Sequence, residues 1–299
     1  MIADTTQNCP ICNHSTHWYM PFMDQESGQS VMRKTGYAWH LCTRCGSGYP
    51  SVAANLDDLQ NYWHINRLVS VPDLDDQAVW ERRIAYSRYW ADKSWQTLQP
   101  FLSRPQKRFL DIACGLGLTV RKFHEQGWQS MGIDADPNTQ RFHQQFDVDC
   151  VIGQFERYQM AGPWDVISIA HAIYFVDNPR AFFARVKENL APGGIFLVIV
   201  SDFASVLADA LPSQVHTWYP SGGAMQYALH QHGFEVLKKE QHHGSIFFLA
   251  KPTQSSVAAR INHWDLLRMR WQRVAYLWCG RPALHLFRTT KRWFQRWIL

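Results

Sequence analysis

The chain has no apolar run that could cross a membrane. Its strongest, Ile195 to Val200, spans six residues, where a spanning helix needs about 20. The opening stretch MIADTTQNCPIC has neither the basic nor the apolar block of a secretory leader. Cysteine is scarce, seven in 299 residues, which excludes a disulfide-stapled scaffold. Four of the seven stand in two C-x-x-C pairs, which suit thiols kept reduced in a cytosol. Charge is modest at 18% and hydrophobic residues make up 46%, which excludes intrinsic disorder. A cytoplasmic globular protein is expected, long enough for one large α/β domain and a smaller module.

Two things are in excess: tryptophan, with 14 residues, and positive charge at one end. Val257 to Leu299 holds nine Lys/Arg against one acid, Asp265, a local balance of +8. The total is +5, so the other 256 residues sum to −3. That is a cationic tail on a mildly acidic body.

Four regions follow. Residues 1–50 carry the cysteine pairs, and residues 51–107 form a helical connector in which Asp76 to Leu98 has helical spacing. From residue 108 to 251 short apolar strands alternate with helices. The expected strands are Arg108–Ala113, Gln129–Ile133, Val148–Ile152, Trp164–Ala170, Ile195–Val200, Phe234–Lys238 and Ile246–Ala250. The expected helices are Leu118–Gln126, Asn138–Gln145, Pro179–Leu190 and Gly222–His232. This alternation predicts an α/β fold, a Rossmann-like, doubly wound, mainly parallel seven-stranded sheet. Residues 252–299 form the basic aromatic tail.

The segment Phe109-Leu-Asp-Ile-Ala-Cys-Gly-Leu-Gly117 reads as a strand ending in a Gly-rich turn that opens a helix. Gly115 and Gly117 allow close backbone approach to a ligand. Asp111, near the strand end, can accept from a ligand amine or from the turn. A second strand ends at Asp134, seventeen residues beyond Gly117. An acid there either binds ribose hydroxyls or caps the helix that begins at Pro137.

These residues resemble the class I S-adenosylmethionine-dependent methyltransferases. "FLDIACGLG" is similar to that family's first motif and "GIDADP" to its acidic second. "VIGQFERY", "WDVISIAHAIYFVDNP" and "LAPGGIFLVIV" follow in order as the third, fourth and fifth. The resemblance implies bound S-adenosylmethionine, with Asp111, Ala113, Gly115, Gly117, Asp134, Gln154, Phe155 and Ala170 around it. Two positions depart from the pattern. Ala113 replaces the first glycine, and Gln154-Phe155 stands where the family presents an acid to the adenine amine.

Cys9-Pro-Ile-Cys12 and Cys42-Thr-Arg-Cys45 are two knuckles separated by 29 residues. That spacing predicts a closed, structural Zn²⁺ site, because four thiolates leave no open position. His14, His17 and His40 are read as surface residues, and Cys114, Cys150 and Cys279 as ordinary buried thiols. The stretch "AWHLCTRCGSGYPS" with "LDDLQNYW" resembles a methyltransferase subgroup with a zinc-ribbon head. Its members act on oxygen or carbon of small acceptors, often sugars or lipid-linked glycans.

His171, after the fourth motif, is a candidate base, with a helix-cap or sheet-edge contact as the alternative. His216, in "VHTWYPSGG", is a second, against a loop-ordering role. Tyr174-Phe175 replaces a Glu-His pair that many relatives carry. In the tail Ile261, Trp264, Leu267, Trp271, Val274 and Trp278 fall on one helical stripe. Beyond Pro282, Phe287, Phe294 and Trp297 oppose Arg288, Arg292 and Arg296. Such faces suit an anionic membrane surface, the alternatives being packing on the protein's own core and binding of RNA. The expected protein is thus a cytoplasmic methyltransferase, peripheral on the membrane, with a small or lipid-linked acceptor. Its rivals are an RNA methyltransferase with a zinc finger, and a catalytically inactive scaffold of the same fold.

Overall fold

The computed structural model describes residues 8–20, 22–23, 30–31, 38–52, 57, 59, 77–102, 107–159, 162–202, 216–254, 261, 264, 266–267 and 269–271. In chain order the first elements are β1 (His17–Met20), β2 (Phe22–Met23), β3 (Ser30–Val31), β4 (Trp39–Cys42) and β5 (Gly48–Pro50). β1, β4 and β5 form a small antiparallel sheet in that order, and β2 pairs with β3.

The connector contributes one unbroken helix, α1 (Gln77–Leu98), over 22 residues that include no Pro or Gly. Its buried residues Trp90, Ala91, Ser94, Thr97 and Leu98 recur at helical spacing.

The α/β region then runs β6 (Arg108–Ile112), α2 (Leu118–Glu125), β7 (Gln129–Asp134), α3 (Gln140–Gln145), β8 (Cys150–Ile152) and β9 (Trp164–Ala170). It continues with α4 (Pro179–Asn189), β10 (Leu190–Ser201), α5 (Gly222–Gln231), β11 (Phe234–His242) and β12 (Ser245–Pro252). The sheet order is β11-β12-β10-β9-β6-β7-β8. β6 to β10 are parallel, and β12 runs antiparallel to both β10 and β11. This is the expected Rossmann-like, mainly parallel seven-stranded sheet. The chain winds outward one way through β7 and β8, then the other way through β9 and β10. The crevice at the carboxyl ends of β6 and β9 is therefore the topological switch point, where such sheets bind ligands.

Alternate strand residues enter opposite layers. Phe109, Val166, Leu197 and Ile199 face α1 and α2, where Phe109 stacks on Phe123 at 3.7 Å and Trp95 meets Phe123 edge-on at 5.2 Å. Leu110, Ile167, Phe196 and Val198 face α4 and α5, with Phe182, Phe183 and Phe234. The hairpin β11–β12 is longer than the sequence pattern indicated. His243 (φ 45°) and Gly244 (φ 82°) make a tight two-residue turn with both residues left-handed, which lets the ladder run to its end.

The head shares the second core layer: Cys9, Ile11, Trp39 and Leu41 belong to the same buried cluster as Phe183 and Trp218. A backbone bridge reinforces it. Tyr219 N donates to Gly48 O at 2.7 Å, and Gly48 N donates to Tyr219 O at 2.9 Å. His40 is buried, not on the surface, and stacks on His17 at 3.7 Å.

The tail corrects the expected stripe. Leu266 and Met269 are the buried residues, while Trp264 and Trp271 are 76% and 63% exposed. The cause is the head: a Cβ on Gly46 would lie 2.8 Å from Ile261 Cδ1 and 3.0 Å from Leu266 Cδ2. Slender Leu and Met side chains fit that notch where an indole would not. Arg270 lies over the Trp18 ring at 5.3 Å. Val274, Trp278, Cys279 and the second tail segment, with Phe287, Arg288, Arg292, Phe294, Arg296 and Trp297, lie outside the described residues. No described helix is long and apolar enough to cross a membrane.

Candidate functional site

At the switch point lies a cavity of about 340 Å³. The turn after β6 forms its floor, with Ala113 (φ 55°), Gly115 (φ 56°) and Gly117 (φ 77°) all left-handed. Ala113 thus keeps the backbone form a glycine would adopt freely, at a cost of about 1–2 kcal/mol for a residue with a Cβ. Gly117 is closed from behind, since a Cβ there would lie 2.8 Å from Val148.

Two buried carboxylates flank the turn. Asp111 accepts from Ser168 Oγ at 2.5 Å, and burial pushes its pKa up to about 7. Asp134 accepts from Gly115 N at 2.7 Å and from Asp136 N at 2.8 Å, so it holds the turn as well as facing the cavity. Burial raises its pKa to about 6, against those two hydrogen bonds. It does not cap the following helical turn; Asp136 does, accepting from Asn138 N at 2.9 Å.

The remaining walls bring the other expected residues together. Gln154, Phe155, Ala170 and His171 all line the cavity. Phe155 is anchored edge-on against Phe182 at 5.4 Å. His171 (φ 55°) has its imidazole in contact with Ser201 Oγ through Nδ1 at 3.3 Å and with Ser245 Oγ through Nε2 at 3.4 Å. Burial lowers its pKa to about 4, so the ring is neutral at pH 7 and a weak base. His216 stands one layer back, its ring stacked on Phe175 at 4.7 Å, and it is Phe175 that reaches the cavity.

A family model described as a methyltransferase domain matches residues 80–239. The chain belongs to that methyltransferase family. A ubiquinone biosynthesis O-methyltransferase of Idiomarina loihiensis is 27% identical over 137 residues, covering 42% of this chain and 54% of that protein. The chain thus spans about half the length of that relative. Among solved structures, a protein of Pyrococcus horikoshii OT3 superposes with a TM-score of 0.46 at 16% identity, covering 54% of this chain and 91% of the other. A glycopeptide N-methyltransferase complexed with S-adenosylmethionine gives 0.44 at 16% identity, with 55% and 93% covered.

The methyltransferase domain uses wall residues that sequence patterns did not single out. α1 supplies Tyr86 and Trp90, and Trp90 meets His171 edge-on at 5.2 Å. Nothing in the Asp76–Leu98 pattern distinguishes these from core aromatics. Glu156 also lines the cavity, and burial raises its pKa. It follows Gln154-Phe155 directly, so the third motif does offer an acid, two residues late.

In the head Cys9, Cys12, Cys42 and Cys45 bring their sulfurs within 4.8 Å of one another. Cys9–Cys45 and Cys12–Cys42 are each 3.5 Å apart. Asn13 N donates to Cys9 O and Gly46 N to Cys42 O, the tight turn each knuckle needs. Four thiols at these distances around one point are the donor set of a closed tetrahedral site for a thiophilic ion.

Proposed function

We propose that this chain is an S-adenosylmethionine-dependent methyltransferase that places a methyl group on a hydroxyl or carbon of a small or lipid-linked acceptor, sugars among them. The observation that carries this reading is the pair of buried carboxylates, Asp111 and Asp134, flanking a left-handed turn at the switch point. A ligand with an ammonium group and vicinal hydroxyls satisfies both. There is room for it: a Cβ on Gly115 or Gly153, both cavity residues, would meet no atom within 4 Å.

S-adenosylmethionine supplies an electrophilic methyl group on a sulfonium. The chain's own residues bind and orient. Asp134 accepts ribose hydroxyls on lone pairs not used by Gly115 and Asp136, and Asp111 takes the ammonium. Ala113, Gly115 and Gly117 admit the ligand to the backbone, Ala170 keeps the wall shallow, and Gln154 with Phe155 meets adenine. The aromatic rim of Trp90, Tyr86 and Phe175 excludes water and presents ring faces to an acceptor. A hydroxyl acceptor must lose a proton as the bond forms; His171 is the candidate that lines the cavity, while His216, behind Phe175, orders that wall. His171, with its low pKa, takes it only transiently.

Cys9, Cys12, Cys42 and Cys45 would hold a structural Zn²⁺ in a head spanning roughly residues 1–50. The basic tail, residues 252–299, would seat the protein on an anionic surface, a role its local charge supports. Intact protein incubated with S-adenosylmethionine carrying a labelled methyl group and a cell extract tests the whole reading. Label in the small-molecule or lipid fraction is expected. Label in RNA would move the acceptor to nucleic acid, and binding with no label anywhere would make the chain a ligand-binding scaffold.

A further inference from the structure

Behind the glycine turn lies a second cluster of reactive side chains. Cys114, inside the turn, and Cys150, on β8, are 36 positions apart, yet their sulfurs approach to 3.2 Å. Both sit over Gly132 of β7, where a Cβ would lie 2.6 Å from the Cys114 sulfur and 3.2 Å from that of Cys150. The missing side chain at Gly132 therefore makes the space in which the sulfurs meet. His143 completes the group: its Nε2 is 3.7 Å from the Cys114 sulfur and 2.8 Å from Gly115 O. Cys150 is partly exposed, and Cys114 is on the cavity wall.

We propose that Cys114 and Cys150 are a hydroperoxide-sensitive dithiol whose oxidation to a disulfide distorts the turn and weakens ligand binding in the cavity. The contact is already shorter than two sulfurs in simple van der Waals contact, and a disulfide requires about 2.05 Å. Closing that gap pulls Cys114 toward β8. The displaced residue stands between Ala113 and Gly115, and Gly115 N is the donor that Asp134 holds. The effect on binding rests on the reading of the cavity as the S-adenosylmethionine site.

Cys150 is the attacking group. The hydrogen bond with Cys114, and after it His143, bring its pKa down to about 7 against the opposing effects of burial and Asp134. Its thiolate attacks one peroxide oxygen. An S–O bond forms to the oxygen that carries the hydrogen, the O–O bond breaks, and the alkoxide leaves (hydroxide for hydrogen peroxide), taking a proton from solvent, so that Cys150 becomes a sulfenic acid. The Cys114 sulfur then attacks the Cys150 sulfur. The S–S bond forms, the S–O bond breaks, and the oxygen leaves as water with the Cys114 proton. Two thiols lose two electrons, and the hydroperoxide is reduced to water and its alcohol, or to two waters for hydrogen peroxide.

The test treats full-length protein with hydrogen peroxide and maps thiols by differential alkylation and peptide mass spectrometry, which separates this pair from the head cysteines. Expected are a Cys114–Cys150 crosslink, a fall of tenfold or more in S-adenosylhomocysteine affinity, recovery with dithiothreitol, and protection from oxidation by bound ligand. Cys150→Ser, or Cys150→Ala should the serine variant fold poorly, should bind normally and ignore peroxide. No crosslink overturns the proposal, as does a crosslink that leaves affinity unchanged. Two metal ions per chain, one of them lost in Cys150→Ser, would make the cluster a metal site instead. Failure of the reduced protein to bind removes both the site reading and the control over it, while the crosslink mass still reports separately whether the dithiol forms.

Discussion

Ligand affinity should depend on pH through Asp111. Its carboxyl normally titrates near 3.8 and is raised to about 7, first by burial, against the Ser168 hydrogen bond. Such a shift of about three units corresponds to roughly 4 kcal/mol favouring the protonated form in the free protein. The sign follows from the raised value. Asp111 contributes stability that is fully present below pH 4 and is lost as pH rises toward 7. An ammonium ligand reverses the preference, because it binds the carboxylate. With a free-protein pKa near 7, affinity should fall about tenfold from pH 8 to pH 6, and binding below pH 7 should release close to one proton per site. This window lies mostly above Asp134, which titrates near 6. Isothermal calorimetry with S-adenosylhomocysteine, in two buffers of different ionisation enthalpy, reads affinity and proton release together. Asp111→Asn should bind weakly, show a flat pH profile, and melt higher than the wild type at pH 8 without ligand. A wild-type affinity constant from pH 6 to 8, with no proton release, would refute the reasoning.

Four further outcomes are expected. Ala113→Gly should stabilise the protein by about 1 kcal/mol, because it relieves a left-handed alanine; chemical denaturation reads this, and unchanged stability would deny the strain. Elemental analysis should find one zinc per chain, and Cys42→Ser should lower the melting temperature more than it alters cofactor affinity. Met269→Ala should cost about 2–4 kcal/mol, since its side chain is buried in the head's notch. Replacing Trp293, Phe294 and Trp297 by Ala should leave stability unchanged and reduce binding to anionic vesicles, measured by co-sedimentation at low and high salt.

The sheet was legible because each strand is a short apolar run between helices of 3.6 periodicity, and the ordered motifs placed the turn and both carboxylates. What escaped sequence reasoning depends on contacts between distant residues. Of the stripe read on the tail, Trp264 and Trp271 are exposed, and the residues buried instead are Leu266 and Met269, set by the notch at Gly46, 220 positions away from Leu266. Cys114 and Cys150 read as isolated thiols until β7 and β8 paired with Gly132 between them. His171 lines the cavity, yet its weak basicity arises from burial beneath Trp90, a residue of another region. Glu156 stands inside the third motif, two residues past the position at which the family pattern has its acid.

If the two buried carboxylates form a cofactor site, a single titration shows it. Reduced full-length protein at pH 8, titrated calorimetrically with S-adenosylmethionine, should show one site per chain with a micromolar dissociation constant. Asp134→Ala should weaken it about ten- to a hundredfold, through the lost charged contact to the ribose and the released Gly115 amide. No heat of binding up to millimolar ligand, or an Asp134→Ala variant that binds as tightly as the wild type, would contradict it.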